Sequence, residues 1–339
     1  MATNSQEVRV PPRPTMRDIA RAAGVSPSAV SLALSGKGRM EDSTRARITA
    51  TAEELGYRIN REARALRTGR TMMLGLVTSL VADQVDDQES RLDWYTRTAL
   101  AAANESFRHG YALVLVPPLG DRNQVHELAA DGVLLIDPDP AEGIVEAAAA
   151  RGLAVVTIGG HAPAPASSVA LDREAAVELA MTHFLADGAR QLALLVDESG
   201  RQNAAATRVA YERWCAAQGR TPVVGTVDFA AGGGRTRLAH QACVRLLTEH
   251  PEVDAVYAPL DSVAAGCVTA ARELDRPLGT GLRLITSEGS IARDNDPALT
   301  AIDTHREEQA AAAVRMLVTA LTTGERPPNQ LFRPSLIVR

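Results

Sequence analysis

Aromatic side chains make up only 3% of the 339 residues, and lysine occurs once, at Lys37. Hydrophobic residues still reach 45%, so the cores must be largely aliphatic and the positive charge is arginine chemistry. The length is too great for one small domain and implies two or three. Cysteine is scarce as well. Cys215, Cys243 and Cys267 are far apart and odd in number, with neither zinc-ligand spacing nor the pairing pattern of a secreted disulfide scaffold, so they read as buried thiols. No apolar run reaches membrane-spanning length, and Met1 to Arg13 lack the apolar core of a signal peptide; the expectation is a cytoplasmic protein without a membrane partner. Catalytic signatures are missing too. There is no GxGxxG after the first strand, no HExxH, no GxSxG and no P-loop. Gly232-Gly233-Gly234 lies outside a strand–turn–helix context, and His161, His183 and His305 stand singly. The expectation is a protein that is not an enzyme, with no catalytic residue, cofactor or metal site.

What is present is an asymmetry of charge. The net charge of −5 hides a balance of +6 over residues 13–70 and −11 over residues 71–339. A basic module on an acidic body is the division expected when only one end meets phosphates, although a solvated basic face would give the same count.

The pattern along the chain changes with the charge. Pro11, Pro12 and Pro14 mark residues 1–14 as a flexible arm. From Thr15 to about Leu55 the pattern is helical and short-looped. Beyond Arg70, apolar runs at 73–80, 112–117, 132–137, 153–158, 191–196, 254–258 and 282–286 alternate with helix-like stretches near 91–108, 141–151, 173–187, 203–218, 235–249, 262–274 and 305–323. Near-continuous Val/Leu/Ile runs suit strands covered on both faces, and the alternation with helices predicts an α/β domain of parallel sheets. Ligands on such sheets bind at the carboxyl ends of the strands.

The segment 15–36 is predicted to be two short helices joined by a glycine turn. Thr15 caps the first, with Asp18 completing a capping box; Met16, Ile19, Ala20 and Ala23 share one face. Gly24 permits the turn, Val25 plugs the joint, and Ser26 caps a second helix that starts at Pro27 and buries Ala29, Val30 and Ala33. A third helix, about 42–55, is expected to bury the pair with Ile48, Ala52 and Leu55. This is the helix-turn-helix arrangement, all-α, whose second helix enters the major groove.

The downstream residues sharpen it. Ile19-Ala20-x-x-Ala23-Gly24-Val25-Ser26, Val30-Ser31, Thr44-Arg45, Gly56-Tyr57-x-x-Asn60 and Ala63-Arg64-x-Leu66 follow in order, nearly without gaps. The stretch resembles the lactose-repressor/galactose-repressor family of transcription regulators. The resemblance implies that Pro27 and Ser28 face base edges, that Ser31 and Thr44 contact bases or phosphates, and that Arg45, Tyr57 and Asn60 position the backbone; the caps Thr15 and Ser26 are counted with this surface. It also implies a hinge helix over 60–67 in which Leu66 wedges into the minor groove beside Ala63 and Arg64. Such a wedge costs stacking energy, offset by a kinked duplex that touches more protein. Leu32 stands where the family commonly has a basic residue; it either meets a thymine methyl or packs at the domain edge.

Residues 71–339 resemble the same family's effector-binding core, related to periplasmic sugar-binding proteins. The anchors are Gly75-Leu76-Val77, Asp131-Gly132-Val133-Leu134-Leu135, Asp172 with His183, Arg208, Asp261 with Gly266, Leu299-Thr300 and Leu336-Ile337-Val338-Arg339. The resemblance implies a helix-turn-helix domain over 15–59, a hinge and linker over 60–70, and an effector and dimerisation domain over 71–339. Its lobes would be about 71–171 with 303–330, and 172–302 with 331–339, with the effector between them. Arg208 is the expected contact to ligand oxygens. Asp172 and Asp261 either meet ligand or cap helices, Glu288 stands near the usual sugar-gripping aspartate, and Trp94 or Tyr95 either stacks on a ligand or packs under a loop. Leu260 replaces an asparagine, and 81–95 carries acids in place of Asn-Pro-Phe-Phe, so the effector need not be a simple sugar. The expectation is a homodimeric repressor, with a tetramer left open, that binds a near-palindromic double-stranded DNA operator under control of a small polar metabolite. The alternative is a solute-binding receptor without a DNA function.

Overall fold

A computed structural model describes residues 14–35, 39–57, 69–78, 88–117, 119, 122–160, 162–198 and 201–339, and the chain divides into two units, Met1–Arg70 and Thr71–Arg339. In the first unit α1 (Met16–Ala23), α2 (Pro27–Ser35) and α3 (Asp42–Glu54) enclose Ile19, Ala20, Ala23, Val30, Ala33, Ile48 and Ala52. Helix α1 starts at a capping box: the Asp18 carboxylate accepts the backbone N–H and the hydroxyl of Thr15, at 2.9 and 2.6 Å. The hydroxyl bond is the main reason that the Asp18 carboxyl sits below the usual carboxylate range. Helix α1 ends where Gly24 takes φ 64°, and the Val25 N–H returns to the Ala20 carbonyl at 3.0 Å. Ser26 Oγ then accepts the Ala29 N–H at 3.2 Å and opens α2.

Two arginines of α3 fasten the bundle. Arg45 donates to the Ala33 carbonyl at 3.2 Å, and Arg47 to the Ala23 carbonyl at 2.9 Å, each meeting the carbonyl-rich end of another helix. Met16 and Leu55 do not join the core as expected; they are 37% and 38% exposed. Each lies at a helix end, Met16 opening α1 and Leu55 just past α3, where the apolar stripe no longer faces its partners.

The second unit holds two six-stranded sheets. The first runs β2 (Ala112–Val116), β1 (Met73–Thr78), β3 (Gly132–Ile136), β4 (Ala154–Ile158), β5 (Ser167–Leu171) and β11 (Gln330–Phe332), all parallel. The second runs β7 (Val224–Val227), β6 (Leu192–Asp197), β8 (Ala255–Tyr257), β9 (Arg283–Ser287), β10 (Ala301–Asp303) and β12 (Ser335–Ile337), with only β12 antiparallel.

Side-chain alternation explains why both faces are covered. In the first sheet Leu74, Leu76, Leu134 and Ile136 pack under α4 (Gln88–Arg108) and α11 (Arg306–Thr323), while Val77, Val133 and Leu135 pack under α5 (Ile144–Ala150). In the second, Leu192, Leu194 and Val196 meet α6 (Arg173–Ala186) and α7 (Gln202–Ala217). Ala193 and Leu195 meet α8 (Arg235–Glu249), α9 (Asp261–Glu273) and the short α10 (Ser290–Asp294). All three cysteines are buried. The chain crosses between the sheets after β5, after β10 and between β11 and β12, and the Asp172 N–H bonds the Phe332 carbonyl at 2.8 Å where two crossings meet. Among the described residues no helix is long and apolar enough to cross a membrane.

Strands β5, β7, β10, β11 and β12 were not among the apolar runs picked out from the sequence. They are short or interrupted by Ser, Gly, Thr or Asp, and tertiary pairing alone makes them strands.

The tightest helix contact rests on Gly266 of α9, where a Cβ would come within 2.5–2.6 Å of the Ala239–His240 backbone of α8. Gly266→Ala should therefore lower stability. Overpacking of about 1–3 kcal/mol exceeds the helix-propensity gain of about 1 kcal/mol. A thermal melt no lower than that of the wild type would contradict this close approach.

Candidate nucleic-acid interface and ligand cavity

Helix α2 has the sequence PSAVSLALS and carries no charge. Val30 and Ala33 face the core, which leaves Pro27, Ser28 and Leu32 exposed and Ser31 partly so. A short, uncharged, protruding face is suited to base edges and thymine methyls rather than to phosphates. Leu32 is 43% exposed and is not buried at the domain edge. Thr15 and Ser26 both work as caps, and Thr44 is partly exposed in the first turn of α3. Arg45 is engaged with Ala33, and Tyr57 packs partly against the three-helix core. Asn60, Ala63, Arg64 and Leu66 lie outside the described residues.

In the second unit a cavity of about 190 Å³ opens where the carboxyl ends of the strands of both sheets meet. Ile136–Asp137, Ile158–Gly159 and Leu171 enter from the first sheet; Val196–Asp197, Pro259–Leu260 and Ser287 enter from the second. Among the described residues its charged lining is three arginines, Arg173, Arg235 and Arg306, and three aspartates, Asp137, Asp197 and Asp261.

Asp137 links the two sets of elements. With φ 45° it turns the chain out of β3, and its Oδ1 accepts Asn203 Nδ2 at 2.8 Å. Asn203 Oδ1 in turn accepts Arg173 Nη2 at 2.8 Å, and Arg201 Nη1 donates to the Asp137 carbonyl at 3.3 Å. Gly159 makes room for this chain, since a Cβ there would stand 2.8 Å from Asn203 Nδ2. Across the cavity, the Arg235 guanidinium lies 3.5 Å from the Phe229 ring centroid and is oriented by it. Arg306 Nη2 donates to the Glu288 carbonyl at 2.8 Å.

Of the ligand contacts expected from the sequence, Asp261 reaches the cavity, as the first residue of α9. Asp172 caps α6, accepting the Ala175 N–H at 2.9 Å. Glu288 is outside the lining and pairs with Arg293 at 3.2 Å and Arg339 at 2.8 Å. Arg208 is exposed and pairs with Glu212 at 2.8 Å; the turn of α7 that faces the cavity presents Asn203, Ala204 and Thr207 instead. The arginines of the lining are thus 173, 235 and 306, not 208. The side chain of Trp94 lies outside the described residues; Tyr95 packs against the first sheet's core, and Thr98, further along α4, lines the cavity. Sequence reasoning missed the three arginines: they follow β5, β7 and β10, strands that the apolar runs do not reveal, so no strand end in the sequence marks them.

Burial pushes the Asp137 carboxyl up to about 6, against the pull of Arg201 and Arg173 and helped by Asp197. A carboxyl raised on folding binds its proton more tightly in the folded chain, so its contribution to stability is best at low pH and declines as pH rises through about 6. Asp137→Asn should remove that decline: between about pH 4 and pH 7 the wild-type melting temperature falls relative to the variant's. Curves that run parallel across that range would refute the shift.

Residues 15–60 match the family described as bacterial regulatory proteins, lacI family, and residues 181–339 match the periplasmic binding protein-like domain. The HTH-type transcriptional regulator PtxS of Pseudomonas aeruginosa is 29% identical over 96% of this chain and 95% of its own length. The maltose regulon regulatory protein MalI of Escherichia coli is 54% identical over 63 residues, 19% of this chain and 18% of that protein. Among solved structures, the Lac repressor dimer bound to operator and the anti-inducer ONPF superposes with a TM-score of 0.75 at 21% identity, over 97% of this chain and 98% of that one. The transcriptional regulator CelR–cellobiose complex superposes with a TM-score of 0.70 at 23% identity, over 96% and 99%. The helical first domain, the paired parallel sheets and the regulators that match end to end agree: the chain is a transcription regulator, not an enzyme, and belongs to the lacI family of bacterial regulatory proteins.

Proposed function

We propose that the protein is a cytoplasmic repressor that binds a near-palindromic operator as a homodimer and changes its affinity when a small metabolite enters the cavity of the second unit. The observation that carries this reading is the pairing of two features in one chain: an uncharged, exposed α2 on a basic helical domain, and a cavity at the strand ends of a two-sheet domain. In this reading α2 lies in the major groove, with Pro27, Ser28, Ser31 and Leu32 at the bases and arginines around it on phosphates. Weak hydrogen-bonding reach on α2 shifts specificity toward methyl contacts and DNA shape.

The cavity draws on residues from both sheets, so a ligand that bridges them favours one arrangement of the lobes over another. If the dimer's DNA-binding form prefers one arrangement, ligand and operator affinities are reciprocally coupled. Leu100 and Phe107 on α4 and Leu115 on the edge strand β2 are 59%, 73% and 55% exposed, an apolar surface that supports a second copy as partner. The hinge helix over 60–67, with Ala63, Arg64 and Leu66 at the operator centre, completes the reading.

Fragments of the source genome, selected on the purified protein at low salt with and without cell metabolites, should yield a two-fold symmetric site; no preference for any fragment would end the proposal. On that site Leu66→Ala should weaken binding by about tenfold or more with little change in melting temperature, and unchanged affinity at fixed salt would remove the hinge assignment. Phe107→Asp should shift the protein from dimer to monomer in sedimentation. A variant that sediments as the wild type would place the dimer surface elsewhere.

A further inference from the structure

Among the described residues the formal charges of the cavity lining cancel, three guanidinium groups against three carboxylates. Five helices of 13 to 18 residues begin at its wall: α6 at Arg173, α7 at Gln202, α8 at Arg235, α9 at Asp261 and α11 at Arg306. Each helix end carries roughly half a positive elementary charge on its unsatisfied N–H groups. Three of the five place an arginine at the first helical position, adding cation to cation, with Glu174, Glu307 and Glu308 further along the first turns of α6 and α11. Only α6 is capped by the side chain of its N-cap residue; Arg201, Gly234, Leu260 and His305 supply no side-chain cap to the other four. In addition, Arg173 Nε is buried and has no hydrogen-bond partner.

Asp137 is tied to Asn203 and Arg201 on the side of α7, and Arg235 stands over the Phe229 ring, with Ser262 Oγ 3.5 Å from its Nε. No aromatic ring lines the cavity among the described residues. Backbone N–H groups and guanidinium forks together are the chemistry that holds an oxyanion.

We propose that the cavity takes a small hydroxylated anion, whose carboxylate or phosphate oxygens sit at the helix ends that carry Arg173, Arg235 and Arg306. The ligand's hydroxyls then face Asp197, Asp261 and Asn203, which accept or share their protons. This inference rests on reading the cavity as the effector site and adds the charge of the effector. A ligand charge shared by the arginines of α6, α8 and α11 supplies the differential interaction an effector needs.

The test uses the full chain in thermal melts at matched ionic strength, with millimolar malonate, inorganic phosphate, glucuronate, glucose 6-phosphate, glucose and chloride. At least one oxyanion should raise the melting temperature in a saturable way, while glucose and chloride leave it unchanged. The carboxylate and phosphate members of the series show which oxyanion the site prefers. Arg235→Gln should weaken that response about tenfold or more, and Arg235→Lys, which keeps the charge and serves if the glutamine variant does not fold, should weaken it less. No oxyanion response, a response equal in both variants to that of the wild type, or a stronger response to glucose than to glucuronate would overturn the proposal. Operator binding measured with the same probes separates it from the reading it rests on. Arginine-dependent stabilisation without any effect on DNA leaves the anion site standing and removes the effector role; release of DNA by glucose alone does the reverse.

Discussion

Parallel pairing is the constraint on which the second domain depends. Strands that all run one way need crossover helices, and each crossover helix begins where a strand ends. Every helix N-terminus that follows a strand therefore arrives at the same edge of its sheet as the strand's carboxyl end. Two such sheets, turned edge to edge by three chain crossings, bring Asp137, Arg173, Asp197, Asn203, Arg235, Asp261 and Arg306 around one small volume. No residue of that set needs to be near another in sequence. The chemistry of the cavity is thus a consequence of topology: polar loop ends, helix dipoles and first-turn side chains collect there because apolar strand interiors cannot hold them.

The first domain solves a different problem with fewer residues. Its core is small, chiefly alanine with Ile19, Val30 and Ile48, which lets the helices approach closely but leaves little apolar area to hold them. Caps at Thr15 and Ser26 and the bonds from Arg45 and Arg47 to helix-end carbonyls supply order that the core alone would not. Arginine thus fastens helices in this domain, Arg45 and Arg47 each meeting the end of another helix. The lone Lys37 shows how fully the chain relies on the guanidinium, whose fork can bind two oxygens at once. The separation of charge between domains lets one end approach DNA while the acidic body is repelled from it.

Much of this was legible beforehand. Apolar runs located seven of the strands, β1 to β4, β6, β8 and β9, and the main helices, and the ordered residues from Thr15 to Leu66 pointed to the DNA-binding class. Short strands such as Ala301–Asp303 and Gln330–Phe332 were not visible, because three residues carry no period and become strands only by adding to an existing sheet edge. The ligand site was legible only in part. Asp261, expected at a strand end, lines the cavity, but Arg208 faces solvent while Thr207, its neighbour, faces the cavity. One residue is about a hundred degrees around a helix, so a sequence pattern that marks the right turn can still mark the wrong side chain.

What the residue order alone determined is local: where helices start and stop, which stretches are apolar on both faces, which end of the chain is basic, and so the class of protein this is. These follow from interactions between residues a few positions apart, which are written directly in the order of side chains. What only the tertiary structure decided is which arginines meet, how Asp137 comes to be buried against Asn203, and that five helix ends share one cavity. Those depend on sheet order and on the angle at which the two sheets meet, properties of long-range packing that no local pattern encodes.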